Sequence, residues 1–338
     1  MKLLSVVIPC YNSEELMGRA IESLLPAREH IEILLVDDGS EDNTYDIASQ
    51  YSVKYPDIVK VFRQEKTGYG EAINTALDSA TGLYFKILHY DDWFEEKALR
   101  KVMKRLEALC RYEMIVDLFI TNYVFDKELE KKHSIMDYKS VFPQDQIFHW
   151  KEMKHLKQSQ YLLVHSVLFR TELLKDCGLK MPRNMCYVDN YFVYKPLPSV
   201  RTMYYMNTNL YHYRIKENSC STDESITEDY INEQIDVLKK LIASHTVSDI
   251  SCKPMQNYMT RYIAMMMASC TVSLLLNDTE ECKETRNELW NYLKKYDIVL
   301  YKKVKRSILG YCVRLRGRVG KRVILKGYQI AQKYYGFN

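Results

Sequence analysis

The nine cysteines contain no Cys-x-x-Cys pair and no metal-finger spacing. Their number is odd, which argues against a disulfide framework and for reduced thiols in a cytoplasmic protein. The start, Met1 to Pro9, is too short in its apolar part for a signal peptide, and Pro9 ends it. No run approaches the roughly 18 apolar residues that a spanning helix needs. Acidic residues are missing from the end of the chain: residues 300–338 hold eleven Lys or Arg and no Asp or Glu. Since the whole chain is +4, the preceding 299 residues carry −7. A basic tail on an acidic body implies an anionic partner, either a membrane surface or nucleic acid. No RNA- or DNA-binding motif accompanies the charge, so nucleic acid is not expected.

A dinucleotide fingerprint is also missing. Gly68-Tyr69-Gly70 lacks the third glycine and follows the third predicted strand rather than the first. It reads instead as a tight turn that lets backbone come close to a ligand or a neighbouring helix. Residues 126–160 spread His133, His149 and His155 with no HxH or HxxxH pair, so no metal site is expected there.

Against these absences stands a regular alternation. Leu3–Ile8 is a nearly continuous apolar run, as in a strand buried on both faces, and Pro9-Cys10-Tyr11-Asn12 breaks it. A helix with Leu16, Ala20, Ile21, Leu24 and Leu25 on one face follows. Strands are predicted over 31–36 and 58–62 and helices over about 43–51 and 71–80. A further apolar strand near 84–88 runs into Asp91-Asp92. Strands alternating with helices predict a parallel sheet covered on both faces. Ligands in such sheets bind at the carboxyl ends of the strands. Two carboxylates there suit a hard divalent cation, and the cation in turn suits a diphosphate. The competing reading of Asp91 and Asp92 is capping of the helix that begins near Glu95.

Val6-Val7-Ile8-Pro9-Cys10-Tyr11-Asn12, then Val36-Asp37-Asp38-Gly39-Ser40, then Asp91-Asp92, each at a strand end, resembles the nucleotide-binding half of family 2 glycosyltransferases of the bacterial cell-surface polysaccharide type. The resemblance covers about residues 3–215. It implies a GT-A fold, Rossmann-like and mostly parallel, and an inverting reaction with a UDP-sugar donor and Mg2+ or Mn2+. Carried onto this chain, it implies that Asp38 accepts from the uracil ring and that Pro9 and Tyr11 line the base pocket. It also implies that Asp91 meets the ribose and that Asp92 meets the metal. Lys66 is the nearest basic residue for phosphate charge. His89 departs from the pattern, standing where the family often has its first acid. The stretch from Val164-His165-Ser166 to Arg170 resembles the segment before the catalytic acid. That acid corresponds to Asp189, the implied general base, with Val188 where Glu is usual. A plain N-cap of a helix at Asn190 is the competing reading of Asp189. His212, Arg214 and Lys216 are further candidates for phosphate contact.

The expected organisation is a GT-A domain over 1–225, a helical region over 226–300 and a basic amphipathic tail over 301–338. The tail interleaves Lys and Arg with Val304, Ile308, Leu309, Val313 and Ile324, which suits an anionic lipid surface. Together these readings describe a cytoplasmic transferase at the inner face of the membrane, acting on a glycan or lipid-linked acceptor. Two rivals remain. A degenerate scaffold that binds nucleotide or glycan without turnover is motivated by His89 and Val188. A nucleotidyltransferase is motivated by the acidic pair, but no basic triphosphate loop follows the first strand.

Overall fold

The computed structural model describes residues 2–127, 132–154, 160–185, 188–215, 228–277 and 279–315, with 320, 322 and 324–327. The chain forms two compact units, Met1–Lys216 and Glu217–Asn338.

The first unit is built on one ten-stranded sheet. Strands β1 (Leu4–Cys10) and β2 (Ile31–Asp37) are buried at every position, as their unbroken apolar runs require. β3 (Val59–Arg63) is only half-buried and sits at the edge of the sheet. β4 (Tyr84–Ile87) pairs with β1 in parallel, so β3-β2-β1-β4 is the parallel half that alternation predicts. The other half is mixed. β6 (Leu118–Lys127) runs parallel to β10 (Met203–Arg214), while β9 (Val167–Arg170) lies antiparallel between β4 and β6. The short strands β5 (Trp93–Phe94), β7 (Lys132–Met136) and β8 (Ile147–Phe148) add antiparallel edges. β10 runs unbroken through twelve residues. Its polar Asn207-Thr208 is absorbed as a register shift against β6.

Helices α1 (Met17–Leu24), α2 (Thr44–Lys54), α3 (Tyr69–Ser79) and α4 (Glu96–Arg111) connect these strands. α4 buries Ala98, Leu99, Val102, Met103 and Leu106 at helical spacing. Its cap is Glu95, whose carboxylate accepts from Lys97 N at 3.1 Å and Ala98 N at 2.6 Å. Asp91 and Asp92 are therefore not the cap. One of two buried acids in β2, Glu32 lies among Ser5, Lys60, Thr81 and Gly82, each of which donates to it. Those four bonds tie β1, β2, β3 and the turn before β4 into one polar node. α5 (Thr171–Asp176) and α6 (Asp189–Tyr194) complete the unit.

The second unit is helical: α7 (Glu228–Ser244), α8 (Lys253–Asn277), α9 (Glu280–Tyr296), α10 (Ile298–Arg306) and α11 (Ile308–Cys312). α8 departs from the expectation that no run reaches spanning length. Its 18-residue window has mean hydropathy 1.4, long and apolar enough to cross a membrane. Yet 78% of that window is buried within the protein, with Met259, Ile263 and Met267 fully enclosed. Val304, Val313 and Ile324 from the tail are likewise buried, the last two packed with Ala268, Val272 and Leu275.

Candidate active site

The turns after β1 and β2 are stitched together by short polar side chains. Asn12 takes a left-handed φ of 44°, which Asn tolerates. Its backbone N–H donates to Ser40 Oγ at 3.0 Å, and its side chain accepts from Glu41 N at 3.0 Å. Ser13 N–H donates to Thr44 Oγ1 at 2.7 Å. These bonds hold Pro9 and Tyr11 beside Asp38. Pro9 is buried opposite Val36, and the half-buried Tyr11 ring carries the Lys66 ammonium 4.2 Å above it. Lys66 also donates to the Tyr11 hydroxyl at 2.7 Å.

Asp38 has work inside the protein that its motif alone does not reveal. Its carboxylate accepts from Thr67 N at 2.9 Å, Gly68 N at 2.8 Å and Gln64 Nε2 at 2.8 Å. It therefore clamps the turn that leads into α3. Gly68 needs its φ of 92°, and a Cβ on Gly70 would lie 2.0 Å from the carbonyl oxygen of Pro182. The Gly-Tyr-Gly turn is thus a close approach of α3 to the 181–184 segment rather than a nucleotide fingerprint. Asn74 fixes the same contact by bonding both N (2.8 Å) and O (3.0 Å) of Met181.

Asp91 and Asp92, past the end of β4, part company. Asp92 is fully buried, and both of its oxygens are engaged. Oδ2 accepts from the Tyr211 hydroxyl at 2.5 Å and lies 3.3 Å from His89 Nδ1, while Oδ1 accepts from Arg214 N at 2.8 Å. Burial pushes the Asp92 carboxyl up, against the pull of His89 and Tyr211. Both oxygens of Asp92 thus already accept a bond from, or stand close to, a protein group, which leaves each at most a single further lone pair for a metal ion. Asp91 is only partly buried. A carboxylate at a strand end is a donor of the hard type that Mg2+ or Mn2+ takes, so the residues present fit such an ion through Asp91. His89, Asp92 and His165 also bring one donor atom each to within 4.8 Å of one another. Two imidazole nitrogens and one oxygen are a borderline donor set rather than a hard one.

Asp189 opens α6 but does not cap it; the preceding residue, Val188, is the N-cap position. Its carboxylate instead accepts from the Tyr69 hydroxyl at 2.7 Å and stands 3.3 Å from His89 Nε2. His89 Nε2 is also 2.9 Å from the Tyr69 oxygen. Tyr69 has one hydroxyl hydrogen, which Asp189 takes, so its oxygen accepts from the imidazole. With carboxylates at both nitrogens, His89 carries both protons and is a cation. Burial opposes that charge, but Asp189 and Asp92 outweigh it and hold the imidazole well above its usual range. Burial would raise the Asp189 carboxyl, yet His89 and Tyr69 overcome it and hold the group below its usual value. An ionised carboxylate, 31% exposed, thus sits in the same cluster as the end of β4.

Residues 5–169 match the profile of glycosyl transferase family 2. That segment is a family 2 glycosyltransferase domain. The chain is 25% identical over 305 residues to the glycosyltransferase GlyA of Streptococcus pneumoniae, an alignment spanning 87% of this chain and 42% of GlyA. It is 28% identical over 220 residues to the putative glycosyltransferase EpsH of Bacillus subtilis, spanning 64% of this chain and 61% of EpsH. The chain thus spans less than two thirds of either relative. Among solved structures, S. aureus TarS 1–349 in complex with UDP-GlcNAc superposes with a TM-score of 0.70 at 18% identity, covering 99% of this chain and 93% of that one. That likeness establishes the GT-A type of fold.

The cluster around His89 holds residues that the sequence alone does not single out. Tyr69 reaches Asp189 across 120 positions. His165 is buried against the rings of Tyr123, Tyr211 and Tyr213, and its Nδ1 has no hydrogen-bond partner. Burial first, then the His89 and Lys86 charges, push its pKa well below the usual value, so it is neutral. Lys86 is fully buried and donates to the carbonyls of Val164 (2.7 Å) and His165 (2.6 Å). A Lys inside the apolar run Tyr84–Leu88 was the available signal. Of the phosphate candidates, His212 stacks on Trp93 and meets Asp126 at 3.2 Å, while Arg214 offers its backbone to Asp92. Lys216 lies outside the described residues.

Proposed function

We propose that this family 2 enzyme is an inverting glycosyltransferase. It moves a sugar from a UDP-sugar to a hydroxyl of a cell-surface glycan or lipid-linked saccharide, with Asp189 as general base. The observation that carries the reading is the Asp189 carboxylate, held ionised by Tyr69 and His89 beside the strand end that bears Asp91. The complexes of TarS 1–349 with UDP and with UDP-GlcNAc support the donor class.

An inverting transfer is a single in-line displacement at the anomeric carbon. The acceptor hydroxyl attacks from the face opposite the nucleotide and gives up its proton as it does so. Asp189 takes that proton, a contribution on the order of 10²–10⁴ in rate. His89 and Tyr69 orient the carboxylate and keep it unprotonated. Pro9, Tyr11 and Asp38 receive the base, with Asp38 holding the turn that forms one wall. Lys66 supplies positive charge at that turn. Asp91 would hold a divalent cation, which when bound offsets charge on the departing diphosphate.

His89 in place of an acid favours a second reading, a scaffold that binds nucleotide without turnover. One experiment separates the two. Product formation is followed with a panel of UDP-sugars and Mn2+, beside thermal shifts for the same ligands. Transfer that falls at least 10²-fold in Asp189→Asn while the UDP shift persists supports the enzyme. Nucleotide shifts without transfer from any donor support the binding protein.

A further inference from the structure

The second unit carries a surface that the catalytic reading does not use. Five of the eleven exposed large hydrophobic side chains among the described residues fall between 296 and 311: Tyr296, Ile298, Val299, Ile308 and Tyr311. Ile308 and Tyr311 are 69% and 67% exposed. The burial pattern of α10 gives the reason. Leu300 and Val304, four apart, turn inward, so Val299, Lys302 and Arg306, at i, i+3 and i+7, share the opposite stripe. Ile308 and Tyr311 continue the exposure through α11, which Ser307 caps by accepting from Gly310 N at 3.1 Å. Asp297, the last acid in the chain, is buried at the N-cap of α10, where it accepts from Val299 N and Leu300 N. Every charged side chain beyond it is a cation.

We infer that the outer surface of α10 and α11 is a docking site for an anionic phospholipid surface, with Ile298, Val299, Ile308 and Tyr311 entering the headgroup layer among Lys302 and Arg306. Two physical arguments select this occupant. A second copy of the chain would set Lys302, Lys303, Lys305 and Arg306, with no acid among residues 298–312, against the same, so a symmetric contact is disfavoured by like charge. Nucleic acid would use the cations but has no need of exposed isoleucine and valine. A bilayer with anionic headgroups takes both, the cations at the phosphates and the apolar tips at the acyl boundary. The structure also separates this surface from the tail's apolar residues at large: Val304, Val313 and Ile324 are core and cannot insert.

The test is co-sedimentation of the full chain with vesicles of phosphatidylcholine alone and with about 30% phosphatidylglycerol. Binding is expected only to the anionic vesicles, about tenfold weaker in 0.5 M salt. It is expected to fall about tenfold or more both in Ile308→Asp/Tyr311→Asp and in Lys302→Glu/Arg306→Glu. The UDP-induced thermal shift is read on the same samples; it reports folding and the donor site and is expected to be unchanged. Equal binding to neutral and anionic vesicles, or wild-type binding by both double variants, would overturn the inference. So would self-association that Ile308→Asp/Tyr311→Asp abolishes, or nucleic-acid binding without vesicle binding. Failure of the UDP-sugar reading would leave the vesicle result intact.

Discussion

His89 Nε2 stands 3.3 Å from Asp189 Oδ2, and the other nitrogen of the same ring faces Asp92 at 3.3 Å. One imidazolium therefore joins the end of β4 to the start of α6. The imidazole at this position favours the ionised form of Asp189, the proposed base. That placement gives His89 a consequence for pH. With His89→Gln the cation is gone and burial acts on Asp189 with less opposition, so its pKa rises. A base works only when unprotonated. The acid limb of kcat/KM is expected to move to higher pH in the variant, with activity near pH 8 the less affected. A pH profile unchanged in its acid limb would remove His89 from this role.

Tyr69→Phe removes the hydroxyl that bonds Asp189 at 2.7 Å and leaves the ring. We expect kcat to fall by about tenfold, the worth of one hydrogen bond to a charged group, with KM for the donor nearly constant. Steady-state kinetics decide. A rise in donor KM with constant kcat would place Tyr69 in substrate binding instead.

Asp38→Ala should lose both nucleotide affinity and order in the Lys66–Gly68 turn, because two backbone N–H groups lose their acceptor. Each buried donor left unpaired costs about 1–3 kcal/mol. Asp91→Asn, in contrast, is expected to keep the fold and to abolish only the Mn2+-dependent part of the UDP thermal shift. If Asp92→Asn abolishes that part and Asp91→Asn does not, the division between the two acids is reversed.

Glu32 gives a stability prediction. Burial opposes its charge, but bonds from Ser5, Lys60 and Thr81 prevail and lower its pKa from 4.5 to about 2. A depressed folded-state pKa stabilises above the unfolded value and loses that effect as pH falls through the folded one. The gain is about 3 kcal/mol above pH 5, lost between about pH 4.5 and 2. In urea unfolding, Glu32→Gln should be less stable than wild type at pH 6. The gap should narrow steadily toward pH 3.

Local sequence determined a good deal here. Unbroken apolar runs specify strands buried on both faces, and alternation with helices specifies a sheet whose carboxyl ends face one crevice. That logic places Pro9 to Asn12, Asp37-Asp38 and Asp91-Asp92 at strand ends, and the family resemblance singles out Pro9, Tyr11 and Asp38 among them; the Gly68-Tyr69-Gly70 turn reads as a close approach. What it could not decide was direction. Asp91 and Asp92 are neighbours in an irregular turn, where no periodicity says which one points inward; Tyr211 and Arg214, more than 100 residues on, settle that. The same holds for the cap of α4, which a carboxylate three residues further along supplies. It holds also for the tail, where composition marked an amphipathic segment but only packing against α8 separates the buried Val313 from the exposed Ile308 and Tyr311. Charge and pattern are written in the chain. Which polar atom meets which is a matter of long-range contacts that fold the two halves of the sheet around His89.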